Sequence, residues 1–200
     1  MGETRIRVLD TEPLRRRRLA VLLRPLLFFP HYIVMSVWAL LLIPVVPWSW
    51  LAALLRGRVP KAPHRFLAAF LRYQGQVTAW LFLQSGTYPD PLHTMEHPFR
   101  IEVPEAADQP RLVTLFRLPL AIPAVVLASA FQVILTLVGV AAWFVGVALG
   151  RTTRGLQELG TFCLRYGLEA HAYLMLLTAA YPRLEPPATL PAPPPIPVPE

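Results

Sequence analysis

Two stretches of this chain carry no charged side chain, and each is longer than a bilayer needs. Residues 25–55 hold no Asp, Glu, Lys or Arg over 31 positions, and residues 118–150 hold none over 33. A hydrocarbon core of roughly 30 Å is crossed by about 20 apolar residues in a helix. The competing reading is a pair of buried helices in a soluble core. A chain of 200 residues has too little other material to cover two helices of that length. The composition agrees, with 54% hydrophobic and 16% charged residues, where a soluble domain averages about 25% charged.

The N-terminal residues are polar and end in Arg15, Arg16, Arg17 and Arg18. The apolar stretch behind them is too long for a cleavable signal, so the first long segment is expected to stay as an anchor. The net charge of +7 is carried largely by arginines flanking apolar runs. That placement suits topology and anionic lipid head groups, and no nucleic-acid partner is expected. Cys163 is the one cysteine, which excludes an internal disulfide and a cysteine metal site.

Self-comparison gives the architecture. At an offset of 93 residues, 18–89 aligns with 111–182 without a gap, with 20 identities in 72 positions. Seven are leucine pairs, which membrane sequence supplies by chance. The rest include Arg18/Arg111, Arg24/Arg117, Pro30/Pro123, Trp50/Trp143, Gly57-Arg58/Gly150-Arg151, Arg72-Tyr73/Arg165-Tyr166 and Tyr88-Pro89/Tyr181-Pro182. Upstream, short alternating stretches at 5–8 and 100–103 read as strands able to pair outside the bilayer.

The expected fold is therefore an all-α integral membrane protein of four transmembrane helices, arranged as two tandem helical-hairpin repeats with short extramembrane strands and interfacial amphipathic segments. The first repeat covers 1–92, with strand 5–8, an amphipathic segment at 14–24 and helices 31–55 and 64–86. The second covers 93–184, with strand 100–103, an amphipathic segment at 108–118 and helices 122–148 and 156–180. Pro44 and Pro47 predict a kink in the first long helix. Eight prolines in residues 185–200 predict a disordered tail that folding does not need.

The second helix of each repeat is the weaker span. If both cross, there are four spans and the repeats are parallel; if neither does, there are two and the repeats are inverted. The uncharged run 73–88 and its flanking tyrosines favour four. The Arg15–Arg18 cluster favours cytoplasmic termini, while the basic turns Arg56, Arg58, Lys61, Arg65 and Arg151, Arg154 pull the other way. A multi-pass plasma-membrane protein is the resulting expectation.

The ordered set Arg24-Pro-Leu-Leu-Phe-Phe-Pro-His31, Gly57-Arg58-Val59-Pro60, Phe66, Arg72-Tyr73, Tyr88-Pro89 and the strand 99–103 resembles the family catalogued as domain of unknown function 4389. The resemblance covers about 5–182, in two copies. It departs at Pro30-His31, which becomes Pro123-Ala124, and at Pro60, which becomes Thr153. It implies a bacterial plasma-membrane protein and implies no activity, cofactor or catalytic residue.

Candidate chemistry is sparse. His93, Glu96 and His97 have metal-like spacing, but Pro91 and Pro98 bracket them and Thr94 stands where a zinc-protease pattern needs Glu, so a solvated loop without metal is expected. His31 is expected at the interface. The stronger signal is an intramembrane polar cluster of Arg72, Arg165 and Glu169, because a charge in lipid is costly and such groups face protein or water. Against it stands snorkelling of the arginines to head groups. Arg15–Arg18, Arg24 and Arg117 are expected as interfacial cations for anionic lipid.

No catalytic spacing stands out and no cofactor is expected. The first reading is a structural or accessory membrane protein that binds lipid, a protein partner or further copies of itself. The alternatives are a small oligomeric transporter or channel component and a lipid-modifying enzyme using His31 or Glu169.

Overall fold

The computed structural model describes residues 7–9, 18–91, 97, 99–106 and 108–184. In chain order the elements are β1 (Arg7–Leu9), α1 (Arg18–Arg56), α2 (Lys61–Leu81), β2 (Arg100–Glu102), α3 (Arg111–Leu115), α4 (Arg117–Leu149) and α5 (Arg154–Leu174). Residues 185–200, the side chains of the Arg15–Arg18 cluster, and His93 and Glu96 lie outside the described residues.

The apolar runs become α1 and α4, the two described helices long and apolar enough to cross a membrane. Only 6% of the apolar window of α1 and 22% of that of α4 is buried, the reverse of a soluble core helix. Leu26, Phe29, Ile33, Val37 and Leu40 on α1, with Ile122, Val126, Val133, Leu137 and Phe144 on α4, point outward. The expected second pair of spans, α2 and α5, does not pass the same test. These are amphipathic 21-residue helices, and α2 is packed on several sides.

Element boundaries differ from the expectation in two ways. The first amphipathic segment is not separate: α1 runs from Arg18 through Pro25, Pro30, Pro44 and Pro47 as one helix of 39 residues. Proline fixes φ at a helical value and costs one hydrogen bond, so a long tract tolerates it where neighbouring turns hold. In the second repeat the break survives as the single residue Phe116 between α3 and α4. The second helices end at Leu81 and Leu174, before the expected 86 and 180. What stops them is Leu83 and Leu176, both left-handed at φ 59° and 57°. Backbone amides turn back on the last turn, Gln84 to the Ala79 carbonyl at 2.8 Å and Leu177 to the Ala172 carbonyl at 3.0 Å.

The repeats interlock about a pseudo-twofold axis. Trp50 Nε1 on α1 donates to the Thr114 carbonyl at 2.9 Å, and Trp143 Nε1 on α4 donates to the Val21 carbonyl at 3.0 Å. Trp50/Trp143 and Val21/Thr114 are repeat equivalents, so one contact recurs with the repeats exchanged, as an isologous interface requires. These bonds join the start of α1 to the end of α4, and α3, just before α4, to the end of α1, which makes α1 and α4 antiparallel. Leu83 packs with Val21, Ala142 and Trp143, and Leu176 packs with Ala53, Val59 and Trp50. Each left-handed leucine thus plugs the opposite repeat.

The axis runs through α2, α5 and the sheet. Leu168 of α5 sits against Gly75 of α2, its own repeat equivalent, and Gln84 beyond α2 lies against Gly160 near the start of α5. The two helices are therefore antiparallel neighbours. β1 and β2 pair antiparallel with Val8 opposite Ile101, again 93 apart. Ile101 fills the space over Gly75, and Arg72 Nε donates to its carbonyl at 3.1 Å. The sheet thus sits over the middle of α2. Phe66, Phe70, Tyr73 and Trp80 of α2 meet His31 and Trp38 of α1. At 3.6 residues per turn those positions lie nearly opposite Gly75. The order of layers is long apolar helices, amphipathic helices, sheet.

Candidate functional site

Each long helix carries a buried arginine near its start. Arg24 is 3% exposed and Arg117 is 1%. Arg24 Nη1 donates to the Trp80 carbonyl, with the guanidinium 5.1 Å from the centre of the Trp80 ring. Arg117 Nη1 donates to the Tyr173 carbonyl at 2.5 Å and the Thr178 carbonyl at 3.1 Å; Nη2 donates to Gln109 Oε1 at 2.7 Å. Its guanidinium lies 4.5 Å from the Tyr173 ring centre. The carbonyl-rich C-terminal end of α2 or α5 is the negative end of a helix dipole, so the cation caps it. Arg24 and Arg117 were expected to face lipid head groups; both turn inward and hold the hairpins shut. The signal for this was an arginine recurring in both repeats inside otherwise apolar sequence.

The expected cluster is brought together only in part. Arg165 Nε lies 3.7 Å from Glu169 Oε1, four residues on along α5, with side chains 15% and 21% exposed. Glu169 Oε2 also accepts the Arg183 backbone amide at 3.2 Å. Arg72 reaches the β2 carbonyl instead. A partly exposed i,i+4 pair is worth about 0.3–0.5 kcal/mol.

His97 is not solvated. It is 4% exposed; Nε2 meets the Thr87 carbonyl at 3.2 Å, and Nδ1 accepts the Phe99 amide at 3.1 Å. These two bonds tie the loop before β2. Among the described residues no group of three or more His, Cys, Asp or Glu is placed to hold a metal.

The repeats differ most at His31 and Ala124. His31 is buried on α1; its Nδ1 lies 2.7 Å from the Tyr73 hydroxyl, and its ring centre lies 4.6 Å from that of Tyr88. Burial, with Tyr88 and Asp90 adding to it, pushes the Tyr73 phenol up to about 12, so it stays protonated. In the second repeat Ala124 replaces the histidine. A cleft of about 470 Å³ lies between α4 and residues 181–184, lined by Pro123, Leu127, Tyr166, Tyr181, Pro182, Arg183 and Leu184; Ala124, 1% exposed, is not among its walls. Burial, then Tyr181 and Glu169, hold the Tyr166 phenol above its usual range as well.

A twofold pair of helical hairpins, each with an outward-facing helix long and apolar enough to cross a membrane, defines an internally duplicated helical class. Comparison with known families matches residues 18–93 and 111–184 to the family described as Domain of unknown function (DUF4389), so the chain belongs to that family, in two tandem copies. No curated protein and no solved structure matches it.

Proposed function

We propose that the chain is a membrane-embedded accessory protein that acts by holding lipid and presenting a surface to a partner, without catalysing a reaction. Its long helices lie along one leaflet, and α2, α5 and the sheet are stacked towards the cytoplasm. The observation that carries this reading is that β2 rests on α2 at Gly75, on the side of that helix away from its aromatic contacts with α1.

If the helices ran along the membrane normal, a two-stranded sheet with open edges would lie at mid-bilayer. Lipid cannot satisfy its unpaired backbone groups. Turning the normal along the pseudo-twofold axis removes the conflict. The apolar faces then meet acyl chains and the sheet meets water. The same turn puts exposed Arg56, Arg58, Lys61, Arg65 and Arg111 at one end, and Arg151 and Arg154 at the other, on a single side. The opposing topology signals of the N-terminal cluster and the turns then agree with the positive-inside rule. Four spans would separate residues 57–60 from 108 across the bilayer, yet Gln109 N donates to the Gly57 carbonyl at 2.7 Å.

An accessory role is supported by how the buried polar groups are used. Arg24, Arg117, His31 and His97 all bond to the chain itself. Vesicle flotation tests the reading. The protein should float with vesicles and stay with them through alkaline carbonate, as an embedded protein does. Release by carbonate would contradict embedding.

A further inference from the structure

We infer that the α1–α4 pair is a wedge that bends the membrane, so that the protein prefers and generates bilayer surfaces convex towards its own side. The inference rests on the membrane-embedded reading above and adds to it an activity, the shaping of the bilayer.

The lengths of the two apolar helices start the argument. The uncharged runs 25–55 and 118–150 hold 31 and 33 residues, which at 1.5 Å per residue is about 46 and 50 Å of helix. A hydrocarbon core of roughly 30 Å would take such a helix only at a tilt of about 50°, outside the 0–40° range of spanning helices. Outward-facing hydrophobic side chains run the whole way, from Leu19 to Leu55 on α1 and from Leu118 to Leu149 on α4. Along a leaflet, each helix uses that entire length.

The two helices enter as one body. Trp50 binds the Thr114 carbonyl and Trp143 binds the Val21 carbonyl, so the pair is tied side by side at both ends. Arg24 and Arg117 bond the start of each long helix to the end of α2 or α5, so the amphipathic layer holds the pair at a fixed depth. A helix with its side chains is about 10–12 Å across, and half the hydrocarbon core is roughly 15 Å. The pair therefore pushes head groups apart in its own leaflet, while acyl tails of neighbouring lipids close beneath it. The opposite leaflet gains no area. A bilayer relieves that mismatch by becoming convex on the side of the insertion, which makes binding sensitive to curvature.

The test synthesises the full chain cell-free in the presence of preformed small and large vesicles. Both have one phosphatidylcholine and phosphatidylglycerol composition, and each size carries its own dye. After flotation, wild type should be roughly threefold or more denser per lipid on the small vesicles. At high protein-to-lipid ratio the large vesicles should grow tubules in electron micrographs. Leu40, Ile43, Ile122 and Leu137 are exposed, so truncating all four to alanine thins the inserted volume and removes little packing within the protein. This quadruple variant should still float and should lose at least half of the preference. If it does not float, the double variant L40A/L137A decides in its place. Equal wild-type density on both sizes, or an undiminished preference in the floating variant, overturns the inference. Oriented circular dichroism on stacked bilayers separates the two levels. Helices in the membrane plane without a curvature preference refute the wedge alone; long helices along the normal refute the reading beneath it.

Discussion

The amide of Gln109 donates to the carbonyl of Gly57 at 2.7 Å, and the Gln109 side chain donates to the Leu176 carbonyl at 2.8 Å. One residue thus joins the turn of the first hairpin, the approach to the second and the end of α5. Its Oε1 also accepts from Arg117. The first turn and the entry to the second repeat are therefore held at one end of the molecule.

Arg117 is the most constrained polar group in this junction. R117Q removes a buried cation and leaves the Tyr173 and Thr178 carbonyls without their donor. Hydrogen bonds to a charged group contribute about 1.5–3 kcal/mol each, and orphaned acceptors add their desolvation cost. A loss of roughly 3 kcal/mol or more is expected, seen as a large drop in Tm in detergent. R117K should rescue only part of it, because an ammonium lacks the planar fork that reaches Gln109 and the carbonyls together. Full rescue by lysine would contradict the geometry.

Leu176 sets two effects against each other. L176G relieves a left-handed backbone that costs a leucine roughly 1–2 kcal/mol. It also empties a position 1% exposed between Ala53, Val59 and Trp50, where losing a leucine side chain costs about 2–5 kcal/mol. The packing term wins, so a net destabilisation of about 2 kcal/mol is expected by thermal or denaturant melting. A more stable L176G would show that the leucine does not lock the repeats together.

At Gly75 a Cβ would collide with Ile101 Cδ1 and crowd Leu168. G75A should therefore cost about 1–3 kcal/mol through overpacking under the sheet. I101V removes the Cδ1 atom, so the double variant should recover most of the loss. Additive losses in the double-mutant cycle would mean that the sheet does not rest on α2 at this point.

Much of the duplicated plan is legible in the sequence, because Arg, Trp, Gly, Pro and Tyr recur at one offset and periodicity separates α1 and α4 from α2 and α5. The early helix ends are not, because leucine is no signal for a left-handed turn; Leu83 and Leu176 hold it only through burial in the opposite repeat. Arg24 and Arg117 look like flanking cations until the ends of α2 and α5 fold back to receive them. The Pro-His to Pro-Ala change is visible as a departure, but the His31 contact with Tyr73 forms only once α1 and α2 pack together. The antiparallel crossing of α1 and α4 depends on the Trp50 and Trp143 bonds, which no local pattern announces.

Cysteine accessibility in intact cells and inverted vesicles tests whether the long helices lie along one leaflet. Single cysteines at Pro60, Asp108 and Thr153 on a C163S background sample both ends of the molecule and the segment between the repeats. The account predicts that all three label from the cytoplasmic side alone. Labelling of Pro60 and Thr153 from opposite sides would mean that α1 and α4 cross the bilayer, and Asp108 labelling opposite to both turns would mean four spans; either result contradicts it.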